Sequence, residues 1–278
     1  MSYYQVLGLT KEPFSTSPDP AFFFGSNSHL QALTRLEIAI RLRRGLALIL
    51  GEVGTGKTTL ARTLLSNFPP EDGFTFHMIL DPSFESEFQF LQHLSRMFGL
   101  RAALKSTLDY REAIEHHLFQ SGVTEGRTVV LMVDEGQKLT PDMLENLRVL
   151  LNYETNEYKL LQVVIFAQME LLSRIARVKN FIDRVALKYI INPLDERETA
   201  EMIQFRLRSA GLASGMMLFT PEAIHAVHQC TQGYPRQVAL LCHNALEALV
   251  SHEQFVVSDA LIKELVRDES RWLHEATA

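Results

Sequence analysis

Two hydrophobic patterns divide the chain. Up to about residue 192, short apolar runs alternate with stretches whose apolar residues recur every three or four positions; beyond it only the second pattern continues. The runs at 46–50, 129–133 and 161–167 are almost unbroken, which suits strands buried on both faces of a parallel sheet. Segments 74–80 and 187–191 read as further strands. Helical spacing predicts helices over 29–44, through Leu30, Leu33, Leu36 and Ile40, and over 59–65, with Leu60, Leu64 and Leu65 facing inward. Others are predicted near 86–98, over 109–121, and from Pro141 with Thr140 as its cap. Strands alternating with helices imply an α/β fold, a parallel five-stranded sheet flanked by helices.

After Pro193 the pattern predicts an all-helical domain. Its helices cover 195–210, start again at Pro221 behind the cap Thr220, and continue over 235–251 and 258–268. Ahead of everything, Pro13, Pro18 and Pro20 separate Phe14, Phe22, Phe23 and Phe24, which reads as a leader packed on the core. The expected division is therefore a leader at 1–28, an α/β domain at 29–192 and a helical domain at 193–278.

Between the first strand and its helix lies Gly51-Glu52-Val53-Gly54-Thr55-Gly56-Lys57-Thr58, followed by Thr59. Glycines remove the Cβ atoms that would keep backbone amides from closing around a polyanion at a helix N-terminus. Lys57 adds a point charge toward the β and γ phosphate oxygens, and the Thr58 hydroxyl is placed to ligate Mg²⁺. The run at 129–133 then ends in Asp134-Glu135. The carboxyl ends of strands are where open α/β sheets bind ligands. Asp134 would orient the metal's shell, because a hard cation takes oxygen ligands, and Glu135 would polarise the attacking water. The two motifs together imply binding and hydrolysis of a nucleoside triphosphate with Mg²⁺.

Composition narrows this only a little. The 278 residues are 46% hydrophobic, enough for a large core and a satellite domain. A formal charge of −6 argues against a surface built mainly for nucleic acid, although Arg41, Arg43 and Arg44 form a local basic cluster. Cys230 and Cys242 have no zinc spacing, and His225 and His228 share a helix face without visible further ligands. No run is long and apolar enough to span a bilayer, so a cytoplasmic location is the expectation.

The phosphate loop, the acid pair, Gln168 ending the fourth strand, arginines before the fifth and Gly233-Tyr234-Pro235-Arg236 in the helical region resemble the AAA+ ATPases, P-loop NTPases. More narrowly, Phe14 with Pro18-Asp19-Pro20, the phosphate-loop segment, Leu160-Leu161-Gln162-Val163-Val164 and Gly233-Tyr234-Pro235-Arg236 resemble the general secretion pathway protein A family. TniB-type transposition ATPases share much of this skeleton. The resemblance implies ATP with Mg²⁺ between core and lid, and adenine gripped near the leader, around Phe14 and Phe24. It also implies Gln168 as sensor 1, Arg236 as sensor 2, and Arg184 as an arginine finger acting in trans in a homo-oligomer, with Arg177 and Arg174 as alternatives for the finger. Implied partners are inner-membrane secretion or pilus assembly proteins. The transposition relatives bring in the alternative of an ATP-dependent DNA-binding regulator, which the acidic balance disfavours. A small-molecule kinase shares the loop but not the sensor-like arginine and separate lid.

Overall fold

The computed structural model describes residues 2–100 and 104–277. They divide into two compact units. The first is α/β and comprises residues 27–53 and 60–191; the second is helical and comprises the residues up to 26, 54–59 and those from 192 onward.

In the α/β unit, β1 (Leu46–Leu50), β2 (Phe74–Ile79), β3 (Thr128–Val133), β4 (Leu161–Ala167) and β5 (Val185–Ile190) form one sheet in the order β2-β3-β4-β1-β5. Every pairing is parallel, with Leu46 opposite Val163 and Val129 opposite Leu161. The three inner strands are buried at every position, which is why their sequences show no alternation. The edge strands β2 and β5 are only partly covered. On one face, Leu48, Leu131, Val163 and Ile165 pack with residues of α4 (Glu87–Met97), α5 (Thr107–Phe119) and α6 (Pro141–Leu150). α2 (Asn27–Arg41) lies against β1 and β5. Thr140 caps α6 by accepting from Met143 N at 3.4 Å, with Pro141 at the first helical position as expected. Leu80 and Leu65 depart from the expectation: Leu80 lies outside β2 and is 57% exposed, while Leu65 in α3 (Lys57–Ser66) is 40% exposed rather than inward.

The helical unit is built from α1 (Tyr3–Val6) and α8 (Glu196–Ser209), α9 (Pro221–Thr231), α10 (Pro235–Ser251) and α11 (Asp259–Thr277). Between them in chain order, α7 (Leu171–Ile175) belongs to the α/β unit. Asp195 starts α8 with a reciprocal capping box to Glu198. The leader corrects one expectation. Leu9, Phe14 and Phe22 are buried in the same cluster as Met202, Val227 and Leu246, so these leader residues are part of the helical unit's core instead of lying on the α/β core. Phe14 meets Phe219 edge to face at 6.1 Å. The Thr10 N–H and hydroxyl both donate to Ala210 O, at 2.8 and 2.9 Å. Arg206 donates to Ser15 O at 3.0 Å, and burial pushes its pKa down.

Candidate functional site

The carboxyl edge of the sheet carries the first half of the site. β1 runs into Gly51, whose N–H donates to Ala167 O at the end of β4, 3.1 Å away. Glu52 and Val53 follow, both exposed. β3 runs into Asp134, whose N–H donates to Ile79 O at 2.8 Å and whose side chain is buried. One strand, β4, separates β1 from β3, which puts the start of the phosphate loop and the acid pair ~10 Å apart along the same edge.

Glu135 has the left-handed backbone φ 51°, ψ 35°, a conformation that costs a non-glycine residue of order 1–3 kcal/mol and persists only where surroundings enforce it. Three contacts do so. Its own N–H donates to Asp134 Oδ1 at 2.9 Å. Gln137 Nε2 donates to Glu135 Oε2 at 2.6 Å, while Gln137 Oε1 accepts from Gln168 N at 3.1 Å. Gly136 presses on β4 so closely that a Cβ there would lie 2.3 Å from Ile165 Cγ2. The carboxylate is thus strapped to the end of β4 through Gln137. Sequence reasoning missed Gly136 and Gln137; the available signal was a glycine and an amide directly after the acids. Just beyond, Lys138 pairs with Asp81 at 2.8 Å and holds that exposed carboxyl below its ordinary range.

Residues 54–59 group with the helical unit. Gly54 and Gly56 take φ of 82° and 92°, left-handed values that glycine reaches without a Cβ penalty. Arg236 N donates to Gly54 O at 3.1 Å, and a Cβ on Gly54 would meet Arg236 Cβ at 3.1 Å. Arg236 therefore rides against the phosphate loop itself. Its position depends on Gly233, which has φ 73° and leaves no room for a Cβ: Leu194 O would be 1.9 Å away. Thr55 and Lys57 are buried, and α3 starts at Lys57 with Thr58 and Thr59 in its first turn. The Arg236 side chain is exposed and makes no hydrogen bond or ion pair with the described residues.

Gln168 directly follows β4 and is half-buried. Of the three finger candidates, Arg174 is engaged, donating to Leu139 O at 3.1 Å. Arg184 closes the short turn Ile182–Arg184 before β5, and neither its guanidinium nor that of Arg177 has an ion-pair partner among the described residues. A buried ammonium at Lys57, a hydroxyl at Thr58 and a buried carboxylate at Asp134 are the donor types that a magnesium-bearing triphosphate requires.

Comparison with known proteins identifies relatives in sequence and in fold. The AAA domain family matches residues 40–175. General secretion pathway protein A of Aeromonas hydrophila is 36% identical over 97% of the chain, which spans half the length of that relative. Among solved structures, the Aeropyrum pernix ORC2 protein in its ADPNP–ADP complexes aligns with a TM-score of 0.68 at 16% identity, covering 92% of this chain and 71% of that one. Cdc6p from Pyrobaculum aerophilum aligns with a TM-score of 0.66 at 18% identity, over 88% and 67%. At such identities the likeness establishes the fold.

Proposed function

Because the chain is an AAA domain protein homologous to general secretion pathway protein A, with the AAA+ fold, we propose that it is an ATP-hydrolysing switch that works in assembling secretion or type IV pilus machinery at the inner membrane. The observation that carries the switch is the hydrogen bond from Arg236 N to Gly54 O. It ties Gly54 of the phosphate loop to the start of the helix that carries Arg236, which supports a reading in which the exposed Arg236 side chain reports what the loop binds.

In this reading Glu52 to Thr59 cradle the triphosphate, with Lys57 neutralising its terminal oxygens. Thr58 and Asp134 would hold Mg²⁺, which would neutralise negative charge on the phosphate oxygens. Glu135 takes a proton from the attacking water on Oε1, since Oε2 is occupied by Gln137. Gln168 aligns that water, and Arg236 senses the γ-phosphate. A ligand shifts a conformational equilibrium only through contacts that differ between the states, and Arg236 provides such a contact. Arg184 completes a neighbouring subunit's site in a homo-oligomer.

The test is phosphate release against protein concentration for wild type and Glu135→Gln, with calorimetry of ATP binding alongside. Turnover per chain should rise with concentration, and Glu135→Gln should bind Mg-ATP while losing ~10²- to 10⁴-fold in rate. Absence of ATP binding by the wild-type chain would refute the reading.

A further inference from the structure

The acid pair leaves the sheet between two neighbouring strands, β2 and β4, and is tied to them by different means. Toward β2 the tie is main chain, from Asp134 N to Ile79 O at 2.8 Å, with the exposed Lys138–Asp81 pair beyond it. Toward β4 it is a side chain. Gln137 lies half-buried in the turn Gly136–Lys138, donates from Nε2 to Glu135 Oε2 at 2.6 Å and accepts the Gln168 N–H on Oε1 at 3.1 Å.

Those two partners dictate which way round the amide lies. An ionised carboxylate can only accept and a backbone N–H can only donate, so Nε2 must face Glu135 and Oε1 must face Gln168. The bond to the carboxylate is charge-assisted, and such bonds are roughly twice as strong as neutral ones. The turn has little freedom to make up for its loss: Gly136 already presses on Ile165 and Ala167, and Glu135 sits in a left-handed backbone conformation. One planar group therefore sets the spacing between the carboxylate of Glu135 and the backbone of Gln168.

Resting on the hydrolytic role proposed for Glu135, we infer that Gln137 is a positioning residue for that step. It holds Glu135 in register with Gln168, so that the carboxylate and the Gln168 side chain address the same water. Gln137 is no part of the phosphate cradle, so its loss should slow turnover and leave ATP uptake alone.

The test is steady-state phosphate release, with calorimetry of ATP binding, for Gln137→Met, Gln137→Glu, Gln168→Ala and the double variant Gln137→Met/Gln168→Ala, each checked for folding by thermal unfolding. Gln137→Met keeps the length of the side chain but neither hydrogen bond, and should lower kcat by ~10- to 10²-fold with KM and ATP affinity within ~2-fold of wild type. Gln137→Glu keeps an acceptor for the Gln168 N–H but turns an oxygen toward Glu135, and should lose at least as much. Gln168→Ala retains its backbone N–H, and residues that act as a unit fail together, so the double variant should be no more than ~3-fold slower than the slower single one. The inference is overturned if Gln137→Met or Gln137→Glu turns over at the wild-type rate, if the loss appears in KM or binding instead of kcat, or if the two single losses multiply in the double variant. A wild-type chain that binds no ATP would remove the ATPase reading and this inference together, whereas wild-type hydrolysis that is indifferent to Gln137 would remove this inference alone.

Discussion

A single methyl group at Gly136 should disable the acid pair from behind. The Cβ of Gly136→Ala would lie 2.3 Å from Ile165 Cγ2, 3.2 Å from Phe166 O and 3.3 Å from Ala167 Cβ. Carbon atoms rest at ~3.5 Å or more, so something must yield by ~1.2 Å. Ile165 is fully buried in the central strands and Phe166 O belongs to a strand backbone, which leaves the loop at 135–138 as the part that moves. Gly136 is not among the residues with positive φ, so the clash acts without any left-handed strain. Overpacking of this kind costs ~1–3 kcal/mol, to be read from urea unfolding. The functional loss should be larger. A shift of ~1 Å breaks the 2.6 Å and 3.1 Å bonds of Gln137, and misplacement by that distance can cost ~10²-fold in rate. Phosphate release should therefore fall by about that factor while calorimetry shows ATP still bound. Ile165→Ala in the same chain removes the opposing Cγ2 and should recover part of the rate. Wild-type turnover in Gly136→Ala, or strictly additive effects of the two substitutions, would refute the reasoning.

Gly233→Ala should destabilise the helical unit by more than ~3 kcal/mol, because a left-handed alanine costs ~1–2 kcal/mol and the 2.9 Å bond from Leu194 N to Gly233 O cannot survive the overlap. Gly215→Ala, left-handed but with nothing within 4 Å of its Cβ, should lose only the conformational part in the same denaturant titration. Arg184→Ala should be rescued in mixed oligomers by a Glu135→Gln subunit with its finger intact. Arg174→Ala, which frees Leu139 O, should show a defect that such mixing does not repair. Burial lowers the pKa of His77, His93 and His117; His117 adds to this at His77 and Arg96 at His93, while Glu125 opposes it at His117. A depressed histidine keeps its stabilising contribution above the unfolded value near ~6.5 and loses it as pH falls through the folded value, so the α/β unit should weaken on acidification from about pH 6.5. Unfolding titrations from pH 7.5 downward check this, and His77→Asn should flatten the slope.

The inner strands were legible almost to the residue because burial on both faces leaves an unbroken apolar run, as in β1 and β4. Edge strands were less so: β5 begins at Val185, ahead of the predicted 187, and its outer positions are partly solvent-facing, which dilutes the apolar signal. α11 continues to Thr277 through charged residues that carry no apolar period, well past the expected 268. The phosphate loop and Asp134-Glu135 could be read because their chemistry demands fixed residue types at fixed spacing. Gln137 and Gly136 could not, since their importance lies in a strand thirty residues later. The leader's destination was equally hidden: nothing near Phe14 announces Phe219.

That last contact has a consequence for how the chain comes into being. Leu9, Phe14 and Phe22 share their buried cluster with residues from 194 to 262. At a ribosomal pace of ~5–20 residues per second, these greasy side chains wait roughly ten seconds or longer before their sockets emerge from the exit tunnel. The sheet, whose strands all lie in the interval, can complete itself meanwhile. Birth order thus leaves this segment unsheltered until the helical unit has been made, and makes it the natural handhold for a chaperone.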